Sequence, residues 1–191
     1  MANPAKVRIG IIGAGNIGGV HIASFSKLAD WCEVTAVTDA YLPLAEARAK
    51  EFGIGTVFPS PEALIESADV DAVVIGVPNQ FHAPLALRAI EAGKHVLLEK
   101  PMAINSAAAK DIMLAARKSD RVVMISHQMR WESVPMQIKE QIDRGELGRI
   151  YTAKTGWFRR KGIPGWGTWF TRMDQSGGGP LIDIGVHMLD L

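Results

Sequence analysis

The chain has 191 residues, 48% apolar and 21% charged, a balance that excludes extended disorder. In a compact chain of this size it is enough to bury roughly 70% of the unfolded surface. Lysine plus arginine (21) against aspartate plus glutamate (20) leaves a net charge of +1, so nothing electrostatic draws the chain to nucleic acid or to an anionic membrane. No apolar run is long enough for a membrane-spanning helix, and the N-terminal segment lacks a basic-then-apolar leader. The single Cys32 excludes an internal disulfide and a multi-cysteine metal site. A soluble, cytoplasmic protein is the expectation.

Along the chain, short β-branched runs alternate with stretches of helix length. Val7–Ile12, Val34–Thr38, Gly55–Phe58, Ala72–Val77, Val96–Leu98 and Val122–Ile125 have strand character. Several are apolar throughout, as strands covered on both faces are. Ser60 with Pro61 predicts an N-cap and first helical turn. Gly53 and Gly93 predict helix ends, because glycine takes the left-handed conformation there without steric cost. Strand, helix and strand in repetition predict an α/β fold over residues 1–126, a Rossmann-type doubly wound parallel sheet with right-handed crossovers.

From residue 127 to 191 the composition changes. Trp131, Trp157, Trp166 and Trp169 lie among Arg130, Arg159, Arg160 and Lys161. Val134–Leu147 reads as a helix, Arg149–Arg160 as a long strand, residues 162–179 as a glycine-rich loop, and Pro180 as the first turn of a last helix. The expectation is the start of an α+β substrate domain, incomplete at Leu191. Trp157–Phe170 reads equally as substrate-contacting or as core.

The first strand runs into Gly13-Ala-Gly15-Asn16-Ile17-Gly18, a G-x-G-x-x-G between strand and helix. Gly13 permits the tight turn, Gly15 lets a pyrophosphate approach the backbone, and Gly18 lets the helix press on the sheet. The helix N-terminus offers unpaired N–H groups and partial positive charge. Asp39 follows the second strand 21 residues past Gly18, where a carboxylate accepts from ribose hydroxyls. These features predict a dinucleotide site.

Two further segments fall at the carboxyl ends of strands, where open α/β sheets bind ligands. One is Pro78-Asn79-Gln80-Phe81-His82; the other is Glu99-Lys100-Pro101. His82 reads either as a ligand contact or as a residue capping its own helix start. Glu99 reads as an ion-pair partner fixing Lys100. In the last helix Asp183, His187 and Asp190 stand at spacings of 4 and 3, which places them on one face. An acid one turn from a histidine can orient an imidazole that acts as general base. The same three residues can also be read as a surface ion pair or a partial metal set.

Together these residues resemble the glucose–fructose oxidoreductase / inositol dehydrogenase / MocA family. The resemblance rests on Ile9–Gly18, Pro78-Asn79 with His82, Glu99-Lys100-Pro101, Arg130-Trp131, and Gly177–His187 with its Gly-Gly-Gly…Asp-x-x-x-His pattern. It implies NAD(H) as cofactor and hydride transfer to or from a hydroxyl or carbonyl of a sugar, polyol or inositol-like substrate. It implies that Lys100 polarises the substrate oxygen, Asp183 orients, and His187 takes the hydroxyl proton. Gly13, Gly15, Asn16, Ile17, Gly18, Asp39, Pro78, Asn79, His82, Glu99, Lys100 and Arg130 would then contact the cofactor. Arg130-Trp131 departs from the family's usual Arg-Phe or Arg-Tyr. Members of the family exceed this chain in length, and the length-complete form is expected to be a homo-oligomer. Two other readings are a nucleotide-binding remnant without activity, and a tightly held cofactor serving a net non-redox step such as glycoside hydrolysis.

Overall fold

The computed structural model describes residues 5–162 and 164–191. Six strands, β1 (Val7–Ile12), β2 (Cys32–Thr38), β3 (Thr56–Val57), β4 (Ala72–Ile75), β5 (His95–Glu99) and β6 (Val123–Ser126), form one parallel sheet in the order β3-β2-β1-β4-β5-β6. Between them run helices α1 (Asn16–Phe25), α2 (Leu42–Phe52), α3 (Pro61–Glu66), α4 (His82–Glu91) and α5 (Ser106–Lys118). The strand order reverses between β1 and β4, and that reversal opens a crevice above their carboxyl ends.

The core has two layers, one on each face of the sheet. Side chains alternate along a strand, so Ile9 and Ile11 of β1 pack on α1 and α2, with Ile22, Ala45 and Ala49. Ile12 goes to the other layer, with Val73, Ile75, Leu64, Leu85, Ala89 and Ile112. Ile11, Ile75, Leu98 and Ile112 are wholly buried, each contributing roughly 1.5–3 kcal/mol. The local signals act as expected. The Ser60 side chain accepts from the Ala63 N–H at 3.2 Å, and Gly53 ends α2 at φ 70°.

The region after β6 is different. Helix α6 (Ser133–Asp143) forms, but none of its residues is buried, and Val134, Met136 and Ile138 stay exposed. The expected strand over Arg149–Arg160 does not form: the stretch has no ladder, and Tyr151 and Phe158 are exposed. Strand character alone cannot hold a strand when no neighbour supplies the opposing N–H and C=O groups. Among its described residues the glycine-rich stretch holds a 3₁₀ turn, Trp169–Thr171, and a short helix, α7 (Met173–Ser176). Pro180 then leads into a π-helical turn, Leu181–Gly185, which continues as α8 (Val186–Asp190). Among the described residues no helix is long and apolar enough to cross a membrane.

Candidate functional site

The crevice above β1 and β4 is a cleft of about 750 Å³. Its walls include Gly13, Gly15, Asn16, Ile17, Asp39, Pro78, Asn79, His82, Glu99 and Lys100, drawn from the carboxyl ends of four strands, β1, β2, β4 and β5. The glycines have distinct steric reasons. A Cβ on Gly13 (φ 102°) would sit 2.3 Å from the Gly76 carbonyl oxygen, and one on Gly18 would sit 1.9 Å from the Gly13 oxygen. A Cβ on Gly15 would meet nothing within 4 Å. Gly13 and Gly18 are therefore demanded by the turn itself, whereas the open space over Gly15 is room for a ligand at the α1 N-terminus. That cradle fits a dinucleotide pyrophosphate.

Asp39 is held rigidly at the cleft wall. Its Oδ2 accepts from the Ala14 N–H at 2.7 Å and its Oδ1 from the Tyr41 N–H at 2.8 Å. Arg48 donates to the Ala14 carbonyl at 3.1 Å and to Glu51 at 2.6 Å, and is not among the cleft residues.

On the other side of the cleft the side chains are tied to one another. Asn79 donates its Nδ2–H to the Ser176 carbonyl at 2.8 Å, which fastens the strand-end loop to the glycine-rich turn. His82 is buried, with Nδ1 2.7 Å from the Pro101 carbonyl oxygen and Nε2 2.9 Å from that of Val77. Burial pushes its pKa down, and the two carbonyls oppose that shift. His82 thus lines the cleft and braces the loops around it, and its ring does not cap its own helix start.

Lys100 donates from Nζ to the Asp183 carbonyl oxygen (2.9 Å) and to Asp183 Oδ1 (3.1 Å). Two corrections follow. Glu99 does not pair with the Lys100 ammonium; its carboxylate Oε1 lies 2.8 Å from His21 Nε2. Asp183 is engaged by Lys100 and is not hydrogen-bonded to His187, whose buried Nδ1 has no partner among the described residues. The second has a direct cause: the Asp183 carboxylate takes the charged Lys100 ammonium, a stronger donor than a neutral imidazole.

His187 sits edge-on to Trp157, with ring centroids 5.9 Å apart. Burial first, then the Lys100 charge, lowers its pKa below the ordinary value. Arg130 is turned away from the cleft and grips Asp190 through two nitrogens, so it does not contact the crevice as expected; its neighbour Gln128 does. With Asp183 on Lys100 and Asp190 on Arg130, the three last-helix residues do not converge, and among the described residues no acidic, histidine and cysteine trio is placed to hold a metal.

A second cleft, of about 460 Å³, is lined by Lys100, Arg159, Thr168, Phe170, Asp183 and His187, among others. Lys100 and Phe170 line both clefts, so the ammonium stands at their junction. Arg159 carries its guanidinium 4.4 Å above the Trp157 ring. Sequence reasoning did not single out Gly76, Gln128, His21 or Arg159 as individual site residues. Only the clustering of aromatic and basic residues over 157–170 hinted at the last.

Comparison with known proteins agrees with this geometry. Residues 7–127 match the model of an oxidoreductase family with an NAD-binding Rossmann fold, and residues 136–191 match a GFO/IDH/MocA C-terminal domain. D-glucoside 3-dehydrogenase of Escherichia coli is 40% identical over 97% of this chain and 53% of its own length. The 1,5-anhydro-D-fructose reductase of Ensifer adhaerens is 33% identical over 96% of this chain and 54% of its own. Among solved structures, a levoglucosan dehydrogenase in complex with NADH and levoglucosan superposes with a TM-score of 0.86 at 25% identity, covering 97% of this chain and 52% of that one. The chain spans about half the length of the curated relatives it matches.

Proposed function

This chain belongs to the GFO/IDH/MocA oxidoreductase family, with NAD as the cofactor of its Rossmann domain, and from that premise we propose that it oxidises a hydroxyl of a sugar, glycoside or cyclic polyol, or reduces the matching carbonyl. The observation that carries this reading is Lys100 at the junction of two clefts, one built for a dinucleotide and one lined by Asp183 and His187.

Bound NAD supplies the hydride acceptor. The chain's own residues do the rest. Asp183 holds the Lys100 ammonium by side chain and carbonyl, so its role is to position Lys100 rather than His187. The ammonium is aimed at the junction, where it polarises a substrate oxygen and stabilises the charge that develops there. His187 is the proton acceptor: it lines the second cleft, and its lowered pKa keeps the ring neutral, as an acceptor must be. Trp157 against its ring fixes the plane. Asn79 and His82 brace the loops that carry the cofactor face.

The test is absorbance at 340 nm with NAD⁺ and a panel of glucosides, 1,5-anhydro sugars and inositols. At least one should be oxidised, and the activity should disappear in Lys100→Ala. NADH binding without turnover on any of them would support the alternative of a nucleotide-binding domain with no dehydrogenase chemistry.

A further inference from the structure

Glu99 closes β5 and Lys100 follows it; both line the dinucleotide cleft, yet their side chains take different partners. Lys100 faces Asp183 in the π turn, while Glu99 faces α1. The Glu99–His21 contact is deeply placed, with the two side chains only 8% and 12% exposed. The other carboxylate oxygen of Glu99 accepts the Lys100 backbone N–H at 3.1 Å. The Phe25 ring lies roughly parallel to that of His21, with centroids 6.4 Å apart. Burial pushes the Glu99 pKa up, yet His21, Ser126 and the Lys100 N–H together bring it below the ordinary value, so the carboxylate stays charged.

We propose that His21 is a positioning residue: by holding Glu99 it keeps this carboxylate off the Lys100 ammonium and leaves that ammonium to Asp183 and the second cleft. The inference rests on the reading of Lys100 given above. Its physical basis is competition for one cation. A buried carboxylate stripped of a hydrogen-bond partner is costly and turns to the nearest donor that can replace it. The Lys100 ammonium, one residue on and lining the same cleft, offers such a donor. His21 also lies three residues past Gly18, within the first turns of the helix whose N-terminus cradles the dinucleotide. Two hydrogen bonds, His21 to Glu99 and the Lys100 N–H to Glu99, thus join the nucleotide helix to the catalytic lysine.

The experiment uses the 191-residue chain without cofactor or substrate. Limiting acetic anhydride labels its amines, and mass spectrometry compares Lys100 with the exposed Lys27. His21→Phe fills the space without a donor, and His21→Gln keeps an N–H donor. His21→Phe should lower relative Lys100 labelling at least about threefold, because the ammonium gains a second carboxylate. His21→Gln should stay within about twofold of wild type, and adding Glu99→Gln to His21→Phe should restore labelling. NADH affinity, read by fluorescence, should change less than about threefold in His21→Phe and His21→Gln. Wild-type labelling in His21→Phe, or an equal loss in His21→Gln, would overturn the proposal. Should His21→Phe fail to fold, His21→Ala with and without Glu99→Gln makes the same comparison. Because the label reads Lys100 with nothing bound, this result is independent of whether the chain has dehydrogenase activity.

Discussion

The proposed choice of cofactor rests on Asp39 and the proposed exit of the proton on His187. Asp39 is locked to the Ala14 and Tyr41 N–H groups, so its carboxylate cannot swing aside for a 2′-phosphate. Arg48, which reaches the same turn, is spent on the Ala14 carbonyl and Glu51. NADH should therefore bind more tightly than NADPH, and Asp39→Ala should narrow the gap; fluorescence titration with both cofactors measures it, and equal or tighter NADPH binding refutes it. At the other end, Lys100→Ala and His187→Ala should each lower kcat by about 10²–10⁴ while leaving NADH affinity within a few fold. The sign of the pH dependence follows from burial of His187. Its folded pKa lies below 6.5, so the neutral acceptor form persists into mildly acidic solution. Oxidation should hold steady above 6.5 and fall only below it, and the stability linked to the neutral ring should be lost over the same acidic range. Proton NMR of the His187 ring gives the midpoint directly, and a value at or above 6.5 contradicts this account.

Among the elements, the β1–α1 turn and the π turn do the positioning. In the first, packing demands glycine at Gly18, while the open space over Gly15 is proposed for the ligand, which makes the two separable. Gly18→Ala drives a methyl into the Gly13 carbonyl and should destabilise the domain as well as abolish binding. Gly15→Val meets no protein atom from its Cβ, so its Tm should stay within about 3 °C of wild type while NADH affinity drops more than about tenfold. Calorimetry and titration side by side would show it; unchanged affinity in Gly15→Val would mean that the ligand does not cross this turn. In the π turn, the Asp183 carbonyl oxygen is an acceptor for Lys100 as well as its side chain. That double hold brings a residue 83 positions away onto the end of β5.

In the whole molecule, the sheet and the region after it differ in how well they are held. Residues of β1, β4 and β5 are paired on both edges and covered on both faces, whereas residues 149–161 run without a ladder and are exposed. Trypsin should cut first at Arg149, Lys154, Arg159, Arg160 or Lys161, leaving the Rossmann domain intact, because local opening costs least where backbone bonds and burial are fewest. Limited proteolysis with mass spectrometry locates the cut. A first cleavage inside residues 7–127 would mean that the order of local stabilities is the reverse.

How much was legible in the sequence follows from the range of each interaction. Apolar runs, the Ser60 cap, the Gly53 and Gly93 helix ends and the Gly13–Gly18 turn are local, and local chemistry suffices to place six strands and the dinucleotide cradle. Lys100, Asp183 and His187 were also visible as residues, because their motifs are contiguous. Their pairing was not. Helical spacing assigned Asp183 to His187, but its carboxylate went to Lys100, and Glu99 turned to His21 across 78 residues. Strand character at Arg149–Arg160 likewise could not say whether a partner strand would be there to pair with it. The sequence alone determined the parallel sheet and where its ligand edge lies, since both depend on patterns within one element. Tertiary structure alone decided which charge faces which, because a carboxylate takes the nearest donor in space, and distance along the chain carries no information about that.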